Sequence, residues 1–305
     1  MHNVNQTSGI SFLLLGFQNS QIINEFLFVL FLWIYIVTLF GNILIIILVI
    51  TVSALRSPMY VLLSQLSLAD VLLSTSITPN FLRLLLNGGG TISATGCITQ
   101  FYFYCASAVS EYYLLTAMAY DRYLAICSPL HYVSIMGFRL CLYMSLCSWG
   151  LALILSLLMN LLTFNLQFCG PFVIDHYFCE FTSLIELSCT DYKAVELTNI
   201  ILFIPFTLLP FCFIIYTYVA IGLAILRISS TEGRHKAFST CSSHLIVVCT
   251  YYGILIIVYM VPSNGHNFNI NKILSLLYTV GTPFFNPTVY SLRNNDIKSV
   301  LLKYL

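Results

Sequence analysis

The chain has 305 residues, of which 59% are hydrophobic and only 8% charged, with a formal net charge of +1 and a mean hydropathy of +0.92. Soluble domains are nearer half apolar and a quarter charged, so this composition excludes an ordinary soluble domain, and no nucleic-acid partner is expected. Runs such as "GNILIIILVI" do not alternate, which excludes a closed β-barrel. The expectation is an all-α membrane protein, a seven-transmembrane helix bundle embedded in lipid.

Residues 1–25 read as an extracellular segment that carries the glycosylation sequon Asn5-Gln6-Thr7. They show no basic n-region and no cleavage site, so the first span is expected to act as a signal anchor. The transmembrane domain, 26–292, holds seven apolar segments, roughly 26–50, 58–82, 98–123, 140–163, 197–226, 238–261 and 271–292. Each is long enough to cross a hydrocarbon core of about 30 Å as a helix. The second, third and seventh are the least pure. With the amino terminus outside, the inner side receives Arg56, Arg122, Arg139, Arg227, Arg234, Lys236, Arg293, Lys298 and Lys303, and the outer side only Arg83, Lys193 and Lys272. That asymmetry follows the positive-inside rule and puts the carboxyl terminus in the cytoplasm of a multi-pass plasma-membrane protein.

The outer loop 164–196 is the long one. It carries Asp175, Glu180, Glu186, Asp191 and Glu196, and reads either as a lid over a cavity or as a stapled, solvated loop. Four cysteines fall outside, Cys97, Cys169, Cys179 and Cys189, which allow three pairings on the oxidising side. In the cytoplasmic tail, 293–305, Ile297, Val300, Leu301 and Tyr304 share one face of a short amphipathic helix along the inner surface.

Polar groups inside lipid are costly and face the bundle interior. Asp70 is about 18 Å above Pro58 and Glu111 about 16 Å above Arg122, at 1.5 Å per helical residue. The two acids therefore share a level, with Asn42 at similar depth and Asn286 nearer the cytoplasm. Like charges in a low dielectric need compensation, either a retained proton or a small cation such as sodium. No other cofactor is expected. Asp121 and Arg122 are neighbours that point about 100° apart on a helix, so the arginine must curl back or seek a partner on another helix. Spacing alone favours a snorkelling interfacial arginine.

"GN" at 41–42, "LSLAD" at 66–70, Trp149, "MAYDRYLAIC" at 118–127 and "NPTVY" at 286–290 together resemble the rhodopsin-like G-protein-coupled receptors. "SPMYVLLSQLSLAD", "SPLHY", "KAFSTCSSHL", "PFFNPTVYSLRN" and the loop "FCGPFVIDHYFCEFTSLIELSCTD" narrow the resemblance to olfactory receptors of the tetrapod type, over nearly the whole chain. The resemblance implies a Cys97–Cys179 bond tying the third span to the loop and a Cys169–Cys189 bond within the loop. It makes Asp121, Arg122 and Tyr123 a latch toward which Tyr218 and Tyr290 swing on activation, with Asn286 and Pro287 beside it. Lys236, Ser239, Cys241 and His244 belong to the family's sixth-span motif, whose inner end moves to admit a stimulatory olfactory-type G protein and raise cyclic AMP. Two departures, "EFTSLIEL" in the loop and "YMVPSNG" after the sixth span, lie near the pocket mouth and bear on ligand class.

The expected ligand wall is Tyr104, Cys105 and Ala108 on the third span, Asn199, Leu202 and Phe206 on the fifth, Tyr252, Leu255 and Tyr259 on the sixth, and Thr279 on the seventh. Such a wall suits a small hydrophobic molecule oriented by one or two hydrogen bonds. The outer half of the third span has no acid to meet an amine, and the sixth has no arginine to meet a carboxylate. A neutral alcohol, aldehyde, ketone or ester is expected, at low-micromolar or weaker affinity. A receptor for a metabolite outside the nose is the alternative reading, and a transporter or channel is a distant one. No zinc-protease motif or evident catalytic dyad supports an enzyme.

Overall fold

A computed structural model describes residues 11–169, 171–190, 192–260, 268–293 and 295–304. Among these, seven long helical passages run α1 (Gln21–Thr51), α2 (Pro58–Asn87), α3 (Ala94–Cys127), α5 (Phe138–Phe164), α7 (Lys193–Arg227), α8 (Thr231–Met260), and a seventh made of α9 (Phe268–Leu276), a π-helical turn (Leu277–Gly281) and α10 (Thr282–Arg293). Short helices α4 (Pro129–Ile135) and α6 (Phe181–Glu186) connect them, and α11 (Asn295–Tyr304) follows. The helices overrun the apolar segments by several residues, because the helix continues beyond the hydrophobic stretch until a breaker ends it. α2 stops at Gly88, whose φ of 64° is left-handed and suits a glycine. α3 starts at Ser93, whose side chain accepts from the Gly96 N–H at 3.1 Å.

By length and composition, Gln21–Thr51, Pro58–Asn87, Phe138–Phe164 and Pro205–Arg227 are apolar enough to cross a membrane. The second is the least apolar of these four, as its polar residues lead one to expect, and Cys241–Ile254 is a shorter apolar stretch of the sixth passage among the described residues.

α3 is the central rod, in contact with α2, α5, α7 and α8. Two apolar clusters stack along the bundle. One, around Leu62, Leu114, Leu115, Met118, Tyr251 and Tyr290, reaches toward the Arg122 end. The other, around Phe81, Phe101, Ile174, Tyr177 and Phe178, fills the opposite, capped end. That cap is a small sheet absent from the sequence reading. β1 (Ser11–Leu14) lies between β2 (Gly90–Ser93), antiparallel with Ser11 opposite Ser93, and β3 (Val173–Ile174), parallel with Leu13 opposite Val173. Alternation turns Phe12 and Leu14 inward. Cys97–Cys179 and Cys169–Cys189 are bonded, with S–S distances of 2.02 and 1.90 Å. Lys272, read from sequence as an outer-loop cation, is 2% exposed. It donates to Asp175 Oδ1 at 2.6 Å and to the Gly16 carbonyl at 2.9 Å, strapping the N-terminal segment and the loop to α9.

Ile297 of α11 is buried and Val300 packs against the core, while the Leu301 and Tyr304 side chains lie outside the described residues.

Candidate ligand pocket and activation core

Proline explains why the polar core is built where it is. Pro287 has no N–H, so the carbonyl of Pro283, four residues earlier, loses its helical partner. Asn42 donates to that carbonyl at 3.1 Å and to Thr38 O at 3.0 Å. Gly41 makes the approach possible, since a Cβ there would meet the Pro287 ring at 3.1 Å. The "GN" and "NP" pairs are thus two halves of one α1–α10 contact. One residue earlier on α10, Asn286 donates to both Asp70 oxygens at 3.0 and 3.1 Å. Asp70 and Glu111 are both 0% exposed and close enough to feel each other's charge. Neither Glu111 oxygen has a hydrogen-bond partner among the described residues, nor does Asn42 Oδ1. Those oxygens are hard donors of the kind a small cation or a shared proton would meet.

At the other end of α3 the arginine does curl back. Arg122 Nε donates to Asp121 Oδ2 at 2.8 Å, and a guanidinium N–H makes a second, very short contact with the same oxygen. The Tyr132 hydroxyl of α4 donates to Asp121 Oδ1 at 2.8 Å. Asp121 is fully buried and the Arg122 side chain is 11% exposed, so the pair is a closed, nearly neutral unit. Tyr218 O–H and His244 Nδ1 lie 2.5 Å apart with stacked rings, joining α7 to α8. Tyr290 is 1% exposed, and its hydroxyl has no partner among the described residues. Tyr123 sets its ring 6.2 Å from Tyr216 of α7. The Lys236 side chain lies outside the described residues.

Of the expected ligand wall, Tyr104, Ala108 and Tyr252 are linked through the rings of Tyr251 and Tyr278, and Thr279 pairs with the loop's Tyr177. Tyr104 sets its ring edge against Phe178 at 5.1 Å and Tyr278 at 6.2 Å. The Ala108 carbonyl accepts from the Tyr251 hydroxyl at 3.1 Å. Tyr252 packs on Phe211 at 4.6 Å, and Cys105 joins the capped-end cluster. Thr279 Oγ1 donates to Ser275 O at 2.8 Å and pairs with the Tyr177 hydroxyl at 3.0 Å. Phe206 is 38% exposed and lies outside both clusters; Pro210 frees its carbonyl, and Tyr113 donates to that carbonyl at 3.4 Å. The side chains of Asn199, Leu202, Leu255 and Tyr259, and residue Asn5, lie outside the described residues.

Sequence reasoning missed the loop's contribution, Tyr177 and Phe178, and the rings Tyr251 and Tyr278. The signal was present, since a bond from Cys179 to the top of α3 carries the two preceding aromatics to Tyr104. The loop buries its aromatic tip in the capped end of the bundle, against Tyr104. Two apolar crevices, of about 410 Å³ between α3 and α5 and about 240 Å³ among α3, α5 and α7, contain none of the expected ligand residues.

Residues 31–305 match the family model described as Olfactory receptor. The chain is 41% identical to Olfactory receptor 6P1 of Homo sapiens over 99% of its length and 96% of that protein's. It is 44% identical to Olfactory receptor 10A7 of Homo sapiens, covering 97% and 94% of the two chains. To Olfactory receptor-like protein I9 of Rattus norvegicus it is 42% identical, covering 99% and 96%. With a helical bundle capped at one end by a small sheet and a buried acid–arginine pair at the other, the chain belongs to the olfactory receptor family, odorant-sensing G-protein-coupled receptors and not enzymes.

Proposed function

We propose that the chain binds a small neutral volatile, an alcohol, aldehyde, ketone or ester, among Tyr104, Cys105, Ala108, Tyr252 and Thr279, and passes the event to a stimulatory olfactory-type G protein that raises cyclic AMP. The capped end stands outside a plasma membrane and Arg122 faces the cytoplasm. The observation that carries the reading is the closed Asp121–Arg122–Tyr132 unit at the far end of the helix that also bears Tyr104 and Ala108. A ligand that shifts α3 or its neighbours changes the packing that keeps the arginine's charge paired with Asp121, and a freed guanidinium is a cation for the transducer. The hydroxyls of Thr279 and Tyr177 supply the orienting hydrogen bond, and the aromatic edges supply apolar burial. A small cation, sodium in the first instance, sits with Asp70 and Glu111, supported by the unmet oxygens of Glu111.

The test is a cyclic AMP screen of the full-length receptor against a chemically diverse odorant panel, followed by Arg122→Ala. Loss of the evoked signal with surface expression retained is the expected result. Full signalling by Arg122→Ala rejects the assignment.

A further inference from the structure

His176 stands at the junction of three segments and takes no part in the site above. Its ring packs on Tyr177 at 4.6 Å and Phe178 at 4.7 Å and is 2% exposed. Neither ring nitrogen has a hydrogen-bond partner among the described residues. At least one of those nitrogens carries a proton, so a buried N–H is left unmet, a penalty that a phenyl ring in the same place would avoid.

The charged groups acting on the ring come from the loop and from α9. Glu180 Oε2 is 3.8 Å from Nε2, Asp175 precedes the histidine, and Lys272 is bonded to Asp175. From the N-terminal segment, the Gly16 N–H donates to the His176 carbonyl at 3.1 Å, while the Gly16 carbonyl accepts from Lys272. Burial holds the imidazole below its ordinary titration range; Glu180 opposes this, Lys272 adds to it and Asp175 opposes it.

We propose that His176 is a proton-binding site that couples acidity on the capped side of the membrane to opening of the cap. A proton on the free nitrogen makes a cation beneath the sheet, where the facing Glu180 carboxylate stands 3.8 Å away, beyond hydrogen-bond reach. Glu180, with a quarter of its side chain exposed, draws that cation outward, and Lys272 repels it. Moving the ring out breaks the Gly16–His176 bond and loosens the strap from Lys272 to Gly16 and Asp175. The inference goes beyond the odorant reading and does not rest on it.

Hydrogen exchange of the full-length receptor in lipid nanodiscs, at pH 7.5, 6.5 and 5.5 and corrected for intrinsic exchange rates, tests it. The opening equilibrium of amides in 12–16 and 173–178 should rise as pH falls, by up to about tenfold per pH unit, the limit for one proton. Amides within α1 serve as the unchanged reference. His176→Phe keeps an aromatic ring but cannot titrate, and should abolish the rise. His176→Gln is the second uncharged variant, and either one that folds is decisive. No rise in the wild type, or an equal rise in the variant, overturns the proposal.

Discussion

Asn42 and Asp70 show how single polar side chains fix one helix to another in lipid. The Asn42 amide repairs a carbonyl that Pro287 leaves unpaired, so Asn42→Ala both loses a bond and exposes an unmet acceptor in the core. The expected loss is about 1–3 kcal/mol, read as a drop in the thermal midpoint of the detergent-solubilised receptor. Tyr113→Phe removes the weaker, longer bond to Phe206 O at 3.4 Å and should cost less, about 1 kcal/mol or under. Equal losses in both would show that the length of the bond does not rank them. Asp70 accepts from Asn286, whereas Glu111 stands against the Asp70 carboxyl with no donor of its own among the described residues. Exchanging sodium for a large organic cation should therefore shift agonist potency in the wild type and leave Asp70→Asn unmoved. The same shift in both proteins would count against a cation between the acids.

Among elements, legibility followed the strength of the local signal. The rods were readable because long, mostly apolar stretches admit one solution in a bilayer. The Asp70–Glu111 level was readable because rise per residue is fixed. The cap was not: β1 and β2 are four residues long and β3 two, and strands that short hold only through partners far apart in sequence. The same blindness hid Tyr177 and Phe178, and the burial of Lys272, which depends on Gly16 and Asp175 both arriving. That dependence gives an element-level prediction. Lys272→Met leaves Asp175, which is 37% exposed, free to find water, so the fold survives while the N-terminal segment loosens. Limited proteolysis should cut within residues 11–20 at least several-fold faster than in the wild type, with the α1–α2 region unchanged. Unaltered cleavage would show that the sheet alone holds the segment.

At the scale of the molecule, two titrating groups of the cap act on stability in opposite directions. His176 is held below its ordinary range by burial, so on acidification the unfolded chain takes up a proton that the native chain refuses. Between about 6.5 and the native value, stability therefore falls as pH falls. Glu186 is held above its ordinary range, by burial first and then by Glu180. Its native form takes up a proton before the unfolded one, so it stabilises at acid pH and loses that contribution as pH rises through its native value. The wild-type thermal midpoint should decline from pH 7.5 to 5.5, with Glu186 offsetting part of the fall near the lower end. His176→Phe should flatten the decline, and Glu186→Gln should steepen it while raising the midpoint at neutral pH. Parallel pH profiles for all three proteins would mean that groups elsewhere, not the two facing the cap, set the acid sensitivity of the fold.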